Sequence, residues 1–186
     1  MTENTAKSKD LLRVETMVKM AILAAMAGVL MVVLKFPYPA APYMKIDFGD
    51  VPTLIGGFAL GPIAGVITVV LKNLINLLLN GTDTAYVGEL SNIIVGSTFV
   101  LASSLIYQRK RTFKYAVIGL IVGIIAMTIL ATLSNYFFIF PLYGMPVESF
   151  KWLAGLVIPF NLIKGVLNAL VTILLYKSIS NIFRRF

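Results

Sequence analysis

The chain has 186 residues, of which 59% are hydrophobic and only 13% charged. So few charges cannot cover a water-facing surface, which excludes an ordinary soluble domain of this length. The net charge of +8 sits in short basic clusters between apolar runs, a pattern that orients membrane segments and does not build a nucleic-acid stripe.

The chain holds no cysteine and no histidine. Disulfides, thiolate or imidazole metal sites, Cys and His nucleophiles and a histidine switch are thereby excluded. No G-x-x-x-x-G-K-[ST] run occurs, so a P-loop ATPase is absent from this chain and energy for any active transport comes from elsewhere. No metal constellation, nucleophile–base pair or cofactor motif points to an enzyme.

In chain order, Lys7, Lys9 and Arg13 precede the apolar run Met17–Leu34, which predicts a first helix over about 11–34. The following Phe36-Pro37-Tyr38-Pro39-Ala40-Ala41-Pro42 offers no A-x-A cleavage site, so this helix is expected to be retained. Its small residues pair as Ala21/Ala25 and Ala24/Gly28, a face that lets another helix approach closely. That face serves either packing within the bundle or docking of a second membrane protein. The next loop carries Pro37, Pro39 and Pro42 and then Tyr43 to Phe48. It is expected to be an ordered external loop with a short extended piece, and Asp50 is placed to cap the helix after it.

The apolar run Val51–Leu79 is too long for one straight span. At ~1.5 Å per residue it would exceed ~40 Å, against a hydrocarbon core of ~30 Å. Gly61 suits a helix end and Pro62 a helix start, which predicts helices over 51–60 and 62–79. Further helices are expected over about 86–107, 115–140 and 152–182. With six spans, the basic clusters at the N-terminus, at Arg109-Lys110-Arg111 with Lys114, and at Arg184-Arg185 all fall on one side, the cytoplasm. The expectation is therefore an all-α integral membrane protein in the plasma membrane. It is a single domain over 1–186 with six transmembrane helices and cytoplasmic N and C termini.

Polar side chains at membrane depth are costly and point to function. Lys72, Asn73 and Asn76 lie on the third helix and Glu89 and Asn92 on the fourth. Asn135 lies on the fifth, and Asn161, Lys164 and Asn168 on the sixth. The topology puts most of them in the outer half, which predicts a polar cavity open to the outside. Asn73, Asn76 and Asn168 also suit interhelical hydrogen bonding, and Lys72 suits an ion pair with Glu89. Asp47 and Asp50 read as turn and cap. Lys164, too deep to reach the interface easily and one turn from Asn161, reads as a ligand contact. Tyr43, Tyr86, Tyr136, Phe137, Phe138, Tyr143 and Trp152 form either an interfacial belt or a stacking wall for a flat ligand.

The stretch from Phe36 to Ile75, with its Lys-Ile-Asp-Phe-Gly-Asp run, resembles the substrate-binding S components of energy-coupling factor transporters. Ser134-Asn135-Tyr136 and Pro159-Phe160-Asn161-Leu162-Ile163-Lys164-Gly165 resemble the riboflavin-specific members in particular. The resemblance implies capture of riboflavin from outside, with FMN a further candidate. It also implies delivery together with a transmembrane coupling subunit and two cytoplasmic ATPases. Asn135, Asn161 and Lys164 would read the acceptor–donor–acceptor edge of the flavin pyrimidine, since Asn supplies both hydrogen-bond senses and Lys supplies donors. Tyr43, Met44, Lys45 and Gly88 would cover the ligand and meet its ribityl chain, with Tyr86 and Asn92 completing the candidate set. Ala21, Ala24, Ala25 and Gly28 would meet the coupling subunit. No metal or cofactor is expected, riboflavin being cargo. Competing readings are an S component for another vitamin, such as thiamine or a queuosine precursor, and a self-sufficient secondary transporter using Glu89.

Overall fold

A computed structural model describes residues 13–82, 84–142, 144 and 150–183, with side chains omitted at 42–43, 150–153 and 177–183. Helix α1, Val14–Val33, begins where Arg13 leaves extended backbone and closes with the Leu34 N–H donating to the Leu30 carbonyl. The proline-rich loop after it cannot continue a helix. It folds instead into an antiparallel hairpin, β1 Lys35–Tyr38 and β2 Ala41–Asp47, with Lys35 opposite Asp47. The expected short extended piece is thus a two-stranded ribbon, and Pro37 is tolerated because β1 is an edge strand.

Helix α2, Asp50–Leu60, follows at once. Gly49 occupies its N-cap position without a side-chain hydrogen bond, so the expected capping role of Asp50 is corrected. Asp50 is the first helical residue, and its carboxylate is drawn inward by an ion pair with Lys72. The helix ends at Gly61, whose φ of +106° suits glycine, and Pro62 opens α3, Pro62–Asn80. At 11 residues α2 is about 16 Å long, half of a hydrocarbon core. It is nonetheless deeply buried, packed against α1, α3, α4 and α7. Its crossing with α3 is close because a Cβ on Gly65 would lie 2.7 Å from the Gly57 Cα.

Helix α3 stops at Gly81, φ +68°. The chain enters α4, Val87–Gln108, through left-handed Ala85 and Tyr86. This entry is held by hydroxyls in place of an N-cap side chain. Thr84 Oγ1 accepts from the Gly88 N–H at 3.0 Å, and Thr82 Oγ1 accepts from the Tyr86 N–H at 2.9 Å. Helix α5, Phe113–Ser134, is capped by Thr112 and continues through a π-helical turn, Asn135–Ile139, into α6, Phe140–Leu142. Helix α7, Phe150–Phe183, carries Pro159 within it.

Among the described residues, five helical segments are long and apolar enough to cross a membrane: Val14–Val33, Pro62–Asn80, Val87–Gln108, Phe113–Leu142 and Ala154–Tyr176. The chain is a multi-pass membrane protein, helical among the described residues but for the hairpin and the connecting turns. Its outward surface is apolar, with Ile22, Val29, Leu78, Ile121, Ile129 and Leu174 exposed, as a lipid-facing bundle requires. The core is built from Leu54, Phe58, Val69, Phe99, Leu120 and Met127. The small residues of α1 divide between these two settings. Ala24 and Gly28 are buried, Gly28 directly against Ile75 of α3, whereas Ala21 and Ala25 are exposed. Gly28 thus serves the internal α1–α3 contact and Ala24 is covered within the bundle, so of these four residues Ala21 and Ala25 stay exposed.

Candidate ligand-binding cavity

Four ionised groups meet in the interior of the bundle. Asp47 ends β2 and Asp50 begins α2, so the Phe48-Gly49 bend between them brings two carboxylates to one place. Lys72 reaches them from α3 and Lys164 from α7, and all four residues are at most 5% exposed. Lys164 Nζ donates to Asp47 Oδ2 at 2.8 Å and lies 3.7 Å from Asp50 Oδ2. Asp50 Oδ1 in turn pairs with Lys72. The result is a ladder, Asp47–Lys164–Asp50–Lys72, with two positive and two negative charges.

Neutrality makes this burial possible, because an isolated charge in a low-dielectric interior costs several kcal/mol. Further hydrogen bonds fix the ladder in place. Asp47 Oδ1 accepts from the Gly49 N–H at 2.9 Å, the turn role expected of Asp47. Asn168 Nδ2 donates to the Asp47 and Lys164 carbonyl oxygens, both at 2.9 Å, which ties α7 to the hairpin. Asn73 bonds its own helix, donating to the Val69 carbonyl at 2.8 Å. The expected Lys72–Glu89 pair does not form. Lys72 is taken by Asp50, and Glu89 Oε2 accepts from the Thr82 and Thr84 hydroxyls at 3.2 and 3.1 Å, at the mouth of α4.

Beside the ladder lies a cavity of about 420 Å³, within the range of about 300–1,000 Å³ usual for small-molecule sites. Its walls come from α1 (Met31), the hairpin (Lys35, Met44, Lys45, Asp47), the end of α3 (Asn76, Asn80) and the start of α4 (Gly88, Glu89, Ser91, Asn92). Asn135 and Ile139, the two ends of the π-helical turn, and Phe160 complete it. A smaller recess of about 60 Å³ adjoins it, sharing Met44, Ser91, Asn92, Asn135 and Phe160 and adding Asp50, Asn161 and Lys164.

Of the candidate ligand contacts, Asn135, Asn161 and Lys164 converge on this recess, with Asn92 beside them. Met44, Lys45, Gly88 and Asn92 line the larger chamber. The side chain of Tyr43 lies outside the described residues. Tyr86 is not brought in: its left-handed backbone turns the ring outward and it is 63% exposed. Phe137 and Phe138 are exposed as well, which fits the interfacial-belt reading, while Tyr143 and Trp152 lie outside the described side chains. Among the described residues, the aromatic ring on the cavity wall is Phe160, held edge-to-face by Tyr38 at 5.6 Å. Phe160 carries no polar signal, and sequence reasoning does not single it out. Asn76 suits interhelical hydrogen bonding by sequence, yet it faces the cavity and accepts from Asn80 at 2.7 Å.

The hydrogen-bond state of the recess defines what it can recognise. Asn135 Nδ2 donates to the Ala131 carbonyl at 2.7 Å, and Asn161 Nδ2 to the Val157 carbonyl at 2.8 Å. Each amide keeps one further N–H and its carbonyl oxygen for a ligand. Lys164 has three N–H groups, of which Asp47 takes one at 2.8 Å, while Asn92 Oδ1 stands at 3.4 Å. The recess therefore offers donors and acceptors side by side, suited to a planar heterocycle edge that alternates carbonyl and N–H.

The family model for the substrate-specific component of ECF transporters matches residues 15–176. The riboflavin transporter RibU of Staphylococcus aureus is 38% identical over 177 residues, covering 91% of this chain and 92% of that protein. The riboflavin transporter FmnP of Bacillus subtilis is 34% identical over 176 residues, covering 89% and 92%. A solved structure described as the S component of a bacterial ECF transporter superposes with a TM-score of 0.77 at 41% identity, covering 89% of this chain and 95% of that one. These relatives are membrane transport components and not enzymes. With nearly its whole length matched, the chain belongs to the family of substrate-specific components of ECF transporters.

Proposed function

We propose that this subunit binds riboflavin from the outer side of the plasma membrane for an ECF-type uptake system. The observation that carries the reading is the convergence of Asn135, Asn161 and Lys164 on one recess of the cavity. The flavin pyrimidine edge presents acceptor, donor, acceptor. The Asn135 and Asn161 amides supply an acceptor for the ring N–H and donors for a carbonyl, and Lys164 donates to the other carbonyl. The ring lies against Phe160 and Met44, and the ribityl hydroxyls reach the polar chamber lined by Asn76, Asn80, Glu89 and Lys45. The names borne by the relatives support this choice of ligand.

In the same reading α2 counts as a sixth, short span, and both chain ends lie in the cytoplasm, where the basic clusters collect. An ECF-type system would supply a separate coupling subunit and two ATPases, a division of labour that the absence of a P-loop from this chain fits. The test is titration of the purified protein with riboflavin, followed by quenching of flavin fluorescence. Asn161→Ala and Asn135→Ala are each expected to weaken binding by about 1–3 kcal/mol, roughly fivefold to 160-fold. A wild-type protein that leaves flavin fluorescence unchanged, or that prefers thiamine in a competition panel, refutes the proposal.

A further inference from the structure

Lys72 contributes to neither wall of the cavity and is 1% exposed, yet it stands two links from the proposed ligand contact. We propose that Lys72 is a positioning residue for ligand recognition: it neutralises Asp50, so that Lys164 stays with Asp47 and keeps a proton directed into the recess. This rests on the reading that Lys164 donates to the bound ring.

The geometry supplies the reason. Lys164 lies between two carboxylates at unequal distances, 2.8 Å from Asp47 Oδ2 and 3.7 Å from Asp50 Oδ2. The asymmetry follows from occupancy. Asp47 has a backbone N–H on its other oxygen, whereas Asp50 has the full ammonium of Lys72. A carboxylate already paired with one lysine attracts a second one weakly. Remove the Lys72 charge and Asp50 becomes a buried anion with only the 3.7 Å contact to Lys164, a costly state. Lys164 is the cation already beside it. Its ammonium would shift toward Asp50, off the position it now holds between Asp47 at 2.8 Å and Asn92 at 3.4 Å. The ladder would also hold a surplus negative charge facing the carbonyl oxygens of the ligand.

Lys72 thus acts through Lys164, which a thermodynamic cycle can isolate. Riboflavin affinity is measured for wild type, Lys72→Met, Lys164→Met, the double Lys72→Met/Lys164→Met, and the charge-balanced Asp50→Asn/Lys72→Met with and without Lys164→Met. Lys72→Met is expected to weaken binding at least about tenfold. In the Lys164→Met background the same change is expected to cost less than about twofold. The charge-balanced double is expected to bind more tightly than Lys72→Met, because a neutral amide at position 50 no longer draws Lys164 away, and adding Lys164→Met to it is expected to cost as much as in wild type, within about twofold. Equal losses from Lys72→Met with and without Lys164 would mean a merely structural role and overturn the proposal. Wild-type affinity in Lys72→Met overturns it as well. Should Lys72→Met fail to yield folded protein, the charge-balanced double decides alone, and a loss from adding Lys164→Met there that is smaller than in wild type by more than about fivefold is the refuting result. A wild-type protein that binds no riboflavin refutes the functional reading instead, so the two failures are distinguishable.

Discussion

Replacing Asp47 by Asn tests whether the interior ladder is held by charge. The substitution keeps an oxygen for the Gly49 N–H, which Asp47 Oδ1 accepts at 2.9 Å, and removes only the ionic partner of Lys164. Lys164 is then left with Asp50 at 3.7 Å, a carboxylate already paired with Lys72. Taking one partner from a buried pair costs about 3–5 kcal/mol. The residual attraction to Asp50 offsets part of this, so the lower figure, about 3 kcal/mol, applies. A domain of this length loses about 2–4 °C of midpoint per kcal/mol. The thermal midpoint of Asp47→Asn in detergent, without ligand, should therefore fall by ~6–12 °C. Circular dichroism at helical wavelengths reads it. Adding Lys164→Met leaves the Asp50–Lys72 pair intact and balanced, and should recover at least about half of the loss. A fall below about 2 °C, or no recovery in the double variant, refutes the idea that charge pairing holds this site.

Tyr86 stands 63% exposed and off the cavity wall, so Tyr86→Ala should leave riboflavin affinity within about twofold; a larger loss in the same titration would return the ring to the site. Gly65→Ala should lower the thermal midpoint, by about 1–3 kcal/mol of overpacking, because its Cβ would meet the Gly57 backbone at 2.7 Å. Gly155→Ala, with no atom within 4 Å, is the matched control and should be neutral or slightly favourable. Ala25 is exposed and Ala24 buried. Ala25→Trp should spare ligand binding and abolish vitamin uptake in cells carrying the coupling subunits, whereas Ala24→Trp should destabilise the bundle itself. Normal uptake in Ala25→Trp would remove this face from the partner contact.

The features of this fold that sequence reasoning could reach are those written locally. Gly61-Pro62 breaks the helix because one residue tolerates φ of +106° and the next cannot donate to a preceding turn. Asn161 and Lys164 share a face because three residues make most of a helical turn. What escaped depends on meetings across the bundle. Lys72 lies one loop from Glu89 in the chain, but its partner is Asp50, set by how α2 folds back on α3 at Gly57 and Gly65. The α1 pattern of small residues gives a spacing, but which half of it is covered depends on Ile75 arriving from α3. Tyr86 is aromatic and close in sequence to cavity residues, yet its left-handed backbone turns it outward. Asn76 and Phe160 reach the cavity through helix rotations that hydropathy does not specify. The π-helical turn at Asn135 departs from the usual period and so from any period-based reading.

The charge ladder also imposes an order on biogenesis. Asp50 and Lys72 are 22 residues apart, so they leave the ribosome together and can enter the bilayer already neutralised by each other. Asp47 waits for Lys164, which is 117 residues further along the chain. Until α7 is made, the nascent protein carries a carboxylate without its final counterion, and the segment bearing it has reason to stay near the membrane surface or the translocon. The last helix is thus the one that allows the first loop to settle. Chains ending before α7 and full-length chains, both released from the ribosome, should differ in protease sensitivity at the hairpin, and equal sensitivity would show that Asp47 is neutralised by other means.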